Sequence, residues 1–411
     1  MKKIFNIIMA AAVGLSVVSC GNDDDFTESI YDTSIEAVDT TATTAPFDQW
    51  LYDNFVVLYN TEIQYKFNYP ASDMSYQLAP ADYKKSQLLS HFIKYLFYEV
   101  YNLYGGEDFM KQYGPRIFHY IGSVATNPNS GTEKQGYASA GVKITLINVN
   151  NMKLWKEDDE YTPADMDQLN KDQFHVMHHE FSHILHQTKS YPVTFGQVTP
   201  GTYDARTWQE RDSVESHRLG YLTQYGSSAN TEDFVEFLSC TITDNDYRWM
   251  TTIIDACLNG GVKDGDKERV YTLIDSLKIE GLEDPNKVWN KFSIYKEEEQ
   301  IDGVWQESGR YVPSFHKKDT ETNAAATDQT IRLRTVEKSF TSFREFLDWV
   351  QIDISENTGG INAILKKMDI ATKWYTENWG LHLFEIRREV RDRQNKVNDY
   401  VRKNVTIYDY Q

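Results

Sequence analysis

The chain has 411 residues, of which 40% are hydrophobic, so it is long enough to bury one large core or two lobes. Its formal net charge is −19, and removal of Lys2 and Lys3 would change it by −2 to −21. Such an acidic protein is not expected to bind nucleic acid or to dock electrostatically on a membrane, because both partners are themselves negatively charged.

The first twenty residues are typical of an exported protein. Lys2 and Lys3 precede an apolar run over residues 4–18 that is too short to span a bilayer comfortably, so residues 1–19 are predicted to be a signal peptide. The run ends in Val-Val-Ser-Cys, which resembles a bacterial lipobox and would make Cys20 the lipid-modified first residue of the mature protein. A plain secretory signal is the alternative.

The segment behind Cys20 predicts how the protein is attached. The acidic run at residues 21–25 resembles the signal that sends lipoproteins of Bacteroides-type bacteria to the cell surface, so we expect an outer-membrane lipoprotein exposed to the outside. Residues 20–46 are rich in Asp, Thr and Ser and have too few apolar residues to fold, which predicts a flexible, lipidated tether. The folded domain should then cover residues 47–411.

The elements before residue 150 predict a small mixed sheet. Alternation over residues 60–69 predicts a strand, and an apolar helix stripe follows as far as the glycine pair Gly105-Gly106. Two further strands are predicted over residues 116–124 and 141–149, with a loop rich in Gly, Asn and Ser between them. The second of these strands is expected at the edge of the sheet, either bordering a substrate cleft or as an ordinary edge strand.

Residues 175–187 read HVMHHEFSHILHQ and contain the motif H-E-x-x-H as His179, Glu180 and His183. In a helix of about 3.6 residues per turn, residues four apart lie one above the other, so both imidazoles can bind one cation with Glu180 beside them. The apolar residues fall on the opposite side, which predicts an apolar back and a histidine front. The motif predicts zinc as the cofactor, and the alternative is a histidine-rich surface helix without a metal.

Four other histidines have weaker claims to a role. His175 and His186 lie on the same helix face as the motif, so they line the cleft, bind a second metal, form hydrogen bonds behind the ligands, or are solvated. His178 lies off that face and is expected to pack in the interior. His217 is a rival ligand from the following segment.

A catalytic zinc site needs three protein ligands and one open position, so a third ligand must come from outside the motif. The metzincin spacing would need Gly at position 186 and His at position 189, where this chain has His186 and Lys189, so that class is excluded. Asp204 ends a Gly-Thr-Tyr-Asp fragment that resembles the start of an aspartate-ligand zincin motif, but Thr207-Trp208 stand where Tyr-Gly should follow.

A second helix offers better candidates. Residues 230–238 read NTEDFVEFL and predict a helix with Asn230 as its N-cap, on which Glu232 and Glu236 lie one turn apart. Glu232 can complete a His-His-Glu site, and Glu236 can hold a ligand histidine by a hydrogen bond. Two alternatives stay open at this point: the two carboxylates exchange roles, or both are solvated.

The C-terminal part shows no catalytic pattern. After about residue 245 the chain is predicted to form a helical lobe, with a hairpin near residues 301–313 and a closing helix over residues 381–402. Cys240 and Cys257 could form one disulfide, but two separate buried thiols are the preferred interpretation.

The segments HHEFSHILHQ and GYLTQYGSSANTEDFVEF resemble the zinc metallohydrolase lipoproteins that accompany SusC/SusD-type nutrient importers in Bacteroidetes. Their pattern is similar to that of anthrax lethal factor-like gluzincins. The resemblance implies an α+β, zincin-like fold with a small N-terminal mixed sheet, an active-site helix and a mostly helical C-terminal lobe. It also implies His179, His183 and Glu232 as zinc ligands, Glu180 as general base, and Tyr225 as the group that assists at the oxyanion.

Together these features predict a cell-surface, gluzincin-type zinc metallopeptidase that cleaves peptide bonds with an activated water. Zinc would lower the pKa of a bound water toward about 7, and Glu180 would accept its proton. A peptide or glycopeptide is the expected substrate, SusC/SusD-type importer components are expected partners, and the lipid on Cys20 is the expected membrane contact. The alternative from another class is a zincin-fold binding or assembly lipoprotein with little or no catalysis.

Overall fold

The computed structural model describes residues 38–67, 76–126, 143–245 and 359–409, and between them residue 72 and the short stretches 133–134, 136–139, 248–249, 252, 255–256, 292–301, 304–316 and 330–331. The predicted signal peptide, Cys20 and most of the predicted tether lie outside the described residues, as does Cys257. Within the described part of the chain, no helix is both long and apolar enough to span a membrane.

A four-stranded sheet supports the helix that carries the histidine motif. Its strand order is β1 (Glu62–Gln64), β2 (Ile117–Tyr120), β6 (Lys143–Leu146) and β5 (Gly136–Ser139). β1, β2 and β6 run parallel, whereas β5 pairs antiparallel with β6. The sheet is therefore mixed, as the sequence predicts.

The edge of this sheet differs from the prediction. β6 was expected at the edge, but it lies between β2 and β5 and pairs with both. The prediction is wrong because residues 136–139, which read Gly-Tyr-Ala-Ser and resemble a loop, form β5 and cover that side of β6. Short strands with small side chains have little apolar alternation, so pattern alone does not detect them.

Two smaller sheets complete the β structure of the described residues. One pairs β3 (Ala125–Thr126) with β4 (Glu133–Lys134), and the other has the order β7 (Phe292–Ile301), β8 (Val304–His316) and β9 (Thr330–Ile331). The antiparallel pair of β7 and β8 is the hairpin predicted near residues 301–313, and it is longer than predicted.

Helices contain more of the described residues than strands do. In chain order they are α1 (Ala45–Leu51, continued by Tyr52–Val56 and Val57–Tyr59), α2 (Tyr83–Ile93, continued by Lys94–Tyr98 and Glu99–Gly105), α3 (Phe109–Tyr113), α4 (Pro163–Leu169), α5 (His175–Thr188), α6 (Ser213–Arg218), α7 (Asn230–Thr243), α8 (Gly359–Trp379), α9 (Leu383–Asn395) and α10 (Val397–Asn404). The single closing helix predicted over residues 381–402 is thus divided into α9 and α10 at Lys396.

The helix of the histidine motif begins earlier than predicted. α4 joins α5 without a break through the π-helical turn Asn170–Phe174. Thr162 starts α4 with a capping box, because its side chain and that of Asp165 each accept from the other's backbone N–H, and Pro163 occupies the first turn. This Thr-Pro-x-Asp signal is present in the sequence and marks the true start.

Aromatic packing fixes α5 against the sheet. The ring of Phe97 on α2 lies 5.3 Å from Phe181 of α5 and 6.5 Å from Phe118 of β2, and all three rings are buried. Burial of three such side chains stabilises the contact by several kcal/mol, on the order of 1.5–3 kcal/mol for each. The predicted apolar back of α5 therefore faces the core, which leaves the histidine front toward α7.

A buried ion pair joins α8 to α7. The fully buried Lys367 ammonium lies 2.7 Å from Asp233 Oδ2 and donates a second hydrogen bond of 2.9 Å to the backbone oxygen of Gly220. Tyr203 donates to the same Asp233 oxygen at 2.7 Å. Burial raises the pKa of Asp233 to about 6, against the lowering effect of Lys367. Asp233 directly follows Glu232, so this pair holds the beginning of α7 in place.

We expect Lys367→Met to lower the free energy of unfolding by about 3–5 kcal/mol, because the substitution leaves the Asp233 carboxylate buried without its cation. Lys373→Met on the same helix is the matched control, since the Lys373 side chain is 68% exposed. Urea unfolding of the two variants measures the difference. Equal stability of both variants would contradict a role for this ion pair in holding α7.

Candidate metal centre

The facing sides of α5 and α7 bring together the motif histidines and Glu232. Glu232 Oε2 lies 3.3 Å from His179 Nε2 and 3.5 Å from His183 Nε2. His179 is 8% exposed, and Glu180 beside it is half-buried. The ligating atoms of His179, Glu180 and His183 all lie within 4.8 Å of one another. One carboxylate and two imidazoles thus converge on one point.

The spacing of these atoms fits a zinc site. Nitrogen and oxygen ligands lie about 2.0–2.2 Å from zinc in a tetrahedral arrangement, so two such ligands are roughly 3.3–3.5 Å apart. Charge-assisted hydrogen bonds are shorter, about 2.7–2.9 Å. The separations of 3.3 and 3.5 Å around Glu232 Oε2 match the spacing of ligands rather than of hydrogen-bonded groups. These three residues therefore suit a divalent cation.

Glu236 meets the other side of His179. Its Oε1 atom accepts from His179 Nδ1 at 2.7 Å and is 2.9 Å from His175 Nε2, while Thr223 donates to Oε2 at 2.7 Å. These are hydrogen-bond distances, and Glu236 is only 4% exposed. Because Nδ1 donates to Glu236, Nε2 is the ring nitrogen left to bind a metal beside Glu232. The geometry thus favours Glu232 as the metal ligand and Glu236 as the hydrogen-bond partner of His179, rather than the reverse assignment of the two carboxylates.

His183 is supported by a different kind of group. Its Nδ1 atom lies 2.9 Å from Nε2 of His186, which is three residues further along α5. Burial and the neighbouring His183 lower the pKa of His186 to about 4, so its ring is neutral at physiological pH. The two candidate ligand histidines therefore have unlike partners, a carboxylate for His179 and an imidazole for His183.

The charges of the site favour a cation between the two helices. Although burial opposes protonation, the neighbouring carboxylates of Glu232 and Glu236 raise the pKa of His179 to about 10. Burial likewise opposes ionisation of Glu232, yet the neighbouring His179 and His183 hold its pKa well below the usual value. Without a metal, a proton on His179 thus supplies positive charge between two carboxylates, which is the role that a metal cation would take over.

Tyr225 stands at the open side of the cluster. Its ring centroid is 5.9 Å from that of His179 and 5.1 Å from that of Trp208, and the residue is 39% exposed. Burial, the charge of Glu232 and a hydrogen bond to that carboxylate raise the pKa of Tyr225. The phenol therefore keeps its proton at neutral pH and can donate it in a hydrogen bond at this side.

The rival ligands lie elsewhere. Asp204 is half-buried and accepts hydrogen bonds from the backbone N–H groups of Arg206 at 2.9 Å and Thr207 at 3.2 Å. His217 is buried, with Nδ1 3.1 Å from Asp255 and Nε2 3.2 Å from the backbone oxygen of Leu222. Neither residue joins the cluster around Glu232, so the alternatives that made them zinc ligands are wrong for this arrangement.

Three further expectations concern residues beside the cluster. His178 is fully buried and hydrogen-bonded to the Tyr101 hydroxyl at 3.0 Å, in agreement with its predicted packing role. Cys240 is a buried free cysteine on α7. The predicted N-cap of α7 is off by one residue, because the extended residue Ala229 caps the helix and accepts from the Asp233 N–H at 2.9 Å.

Thr223 is a functional contact that the sequence did not reveal. It lies in the segment between the two helices, and its hydroxyl donates to Glu236 while also accepting from the N–H of Gly226 at 3.0 Å. Thr223 thereby links the loop that carries Tyr225 to the carboxylate behind His179. A threonine in a loop has no periodicity or motif of its own, so only the folded chain identifies this contact.

These features define a metallopeptidase-type site, and comparison with known proteins agrees. Residues 40–286, which are more than half of the chain, match the family described as "putative zinc-binding metallo-peptidase", and the chain belongs to that family. A crystal structure of a "putative zinc-binding metallo-peptidase" from Bacteroides caccae shares 22% identity and a TM-score of 0.55, over 92% of this chain and 100% of that one. The predicted α+β metallopeptidase fold is thus confirmed. No curated protein matches.

Proposed function

We propose that this protein is a zinc-dependent, gluzincin-type peptidase that hydrolyses peptide bonds. The observation that carries the proposal is the position of Glu232 Oε2, 3.3 Å from His179 Nε2 and 3.5 Å from His183 Nε2, with Glu180 beside them. Three ligands of this kind, with the fourth position open, are the donor set of catalytic rather than structural zinc.

Each residue of the cluster has a defined task in this proposal. His179, His183 and Glu232 would hold zinc, which when bound polarises a substrate carbonyl and makes water a stronger acid. Glu180 accepts a proton from the attacking water and returns it to the leaving amine. Tyr225, which keeps its proton, donates a hydrogen bond to the carbonyl oxygen as negative charge develops there.

The groups behind the ligands keep the imidazoles in the tautomer that this chemistry needs. Glu236 accepts from His179 Nδ1 and is itself held by His175 and Thr223, so His179 can turn only its Nε2 lone pair toward a metal. A carboxylate hydrogen-bonded to a ligand histidine also makes the imidazole more basic, and so a stronger ligand for the metal.

The sequence supports a place for this activity at the cell surface. The signal peptide over residues 1–19, the lipobox-like ending at Cys20 and the acidic run behind it are the basis for proposing a lipidated outer-membrane protein that faces outward. The part of residues 20–46 that precedes α1 would then tether the domain to the membrane; α1 begins at Ala45, two residues before the predicted start of the domain. Peptides or glycopeptides are the proposed substrates, and SusC/SusD-type importer components are proposed neighbours.

A binding or assembly lipoprotein without catalysis is the competing function. Loss of the general base would be the expected sign of such a decayed enzyme, and Glu180 is retained within the metal-ligand cluster. Glu232 and the two motif imidazoles also have the separations of metal ligands rather than of hydrogen-bonded groups. These observations favour hydrolysis.

The test uses the purified protein without its signal peptide. We expect about one zinc ion per chain by elemental analysis and cleavage of a peptide library that a chelator abolishes and added zinc restores. Zinc binding without any cleavage would support the competing binding function. A protein that takes up no zinc would contradict both the metal site and the peptidase.

A further inference from the structure

We propose that His186 is a positioning residue for the zinc ligand His183: its Nε2 atom accepts a hydrogen bond from His183 Nδ1 and so fixes both the tautomer and the direction of that ligand. The inference rests on the proposed metal site and extends it to a residue outside the motif. Three features of the structure support it.

The first is the geometry of the two rings. Nε2 of His183 lies 3.5 Å from Glu232 Oε2, and Nδ1 of the same ring lies 2.9 Å from His186 Nε2. A neutral imidazole carries one proton, so if Nε2 is to bind a metal, the proton must be on Nδ1. His183 Nδ1 is then the donor, and His186 Nε2 must be the acceptor.

The second feature is the way in which His186 is held. Its ring packs edge-on against Tyr191, with the centroids 5.4 Å apart, and against the fully buried Phe234, with the centroids 6.5 Å apart. Tyr191 and Phe234 stack on each other at 4.5 Å. Aromatic contacts from the loop after α5 and from α7 thus set the plane of the His186 ring, which aims Nε2 at His183.

The third feature is the balance of charge around the metal position. Glu232 as ligand, Glu236 behind His179 and the proposed base Glu180 already place three carboxylates around the position of a divalent cation. A further carboxylate behind His183 would add negative charge and reduce the power of the metal to polarise a substrate. An imidazole acceptor orients His183 without adding a negative charge.

The test separates hydrogen bonding from packing by two substitutions with opposite expectations. His186→Gln keeps an acceptor oxygen near the position of Nε2 but loses the aromatic ring, whereas His186→Phe keeps a ring against Tyr191 and Phe234 but has no acceptor. Zinc affinity is measured by competition with a chelator, alongside thermal unfolding of the metal-free forms. His382→Phe, at an exposed histidine before α9, is the matched control.

We expect His186→Phe to weaken zinc binding by about 10–100-fold, as is typical for loss of a hydrogen-bond partner of a ligand, with little change in metal-free unfolding. His186→Gln should stay within about threefold of the wild type, and His382→Phe should match it. The cobalt-substituted His186→Phe variant should also show an altered visible spectrum, because the ligand His183 is no longer held in one orientation.

The opposite order, with His186→Phe equal to the wild type and His186→Gln weakened, would overturn the inference and leave a packing role. Equal zinc affinity in the wild type, His186→Phe and His186→Gln would overturn the inference as well. In both cases the wild type still binds zinc, so the proposed function is unaffected. Failure of the wild type to bind zinc would instead contradict the proposed function itself.

Discussion

Replacing Glu180 with glutamine is expected to lower the rate of peptide hydrolysis by about 10²–10⁴-fold while the zinc content stays that of the wild type. Glu180 lies within 4.8 Å of the ligating atoms of His179 and His183, which is close enough to take a proton from a water at that point. Glutamine has almost the same shape but cannot accept and return a proton. The change therefore removes the base and leaves the three ligands intact.

Glu215→Gln is the matched control for this experiment, because Glu215 is an exposed glutamate on α6 outside the cluster. Both variants are assayed on the peptides that the wild type cleaves, with zinc determined on the same samples. Full hydrolysis by a zinc-loaded Glu180→Gln variant would show that another group is the base. Loss of zinc from that variant would mean that Glu180 also supports the ligands.

The second large effect is expected on metal affinity. Glu232→Gln removes the negative charge that faces both Nε2 atoms at 3.3 and 3.5 Å. Zinc sites with four ligands are worth about 10–16 kcal/mol, so one ligand contributes roughly 3 kcal/mol, and its loss should weaken binding by roughly a hundredfold to a thousandfold. Chelator competition measures this change, and peptide cleavage should fall with zinc occupancy.

Asp204→Asn makes the same chemical change at the carboxylate that the sequence alone offers as the rival ligand. The Asp204 carboxylate accepts hydrogen bonds within its own loop, so this variant should bind zinc like the wild type. If instead Asp204→Asn lost zinc and Glu232→Gln kept it, the assignment of the third ligand would be reversed.

The sequence predicts the part of the site that depends on local spacing. His179, Glu180 and His183 lie on one helix, so the periodicity of the helix is enough to bring them together. Glu232 and Glu236 also follow from helix periodicity as a pair one turn apart. Their separate roles do not, because they depend on whether each carboxylate meets Nε2 or Nδ1 of His179, which is decided by the packing of α5 against α7.

In the fold, too, the sequence predicts the elements that have a local pattern and not those that depend on contacts with the rest of the chain. The helices with long apolar stripes and the parallel strands β2 and β6 are predictable, since burial imposes a clear pattern on their residues. β5 is not predictable, because its four residues have no such pattern and are held by pairing with β6. The contact between His183 and His186 is likewise not predictable from the sequence. Side chains three residues apart on a helix can meet or diverge, and the rings packed around them decide which.

The Lys367–Asp233 pair has a consequence for dividing the protein into smaller pieces. Lys367 lies well past residue 286, where the match to the family ends, yet its charge neutralises the side chain next to Glu232. A shortened polypeptide that stopped at that boundary would retain the histidine motif but would have to desolvate an anion with no counterion. The unit that holds the candidate metal site therefore includes α8, and a shortened protein must keep α8 together with the motif.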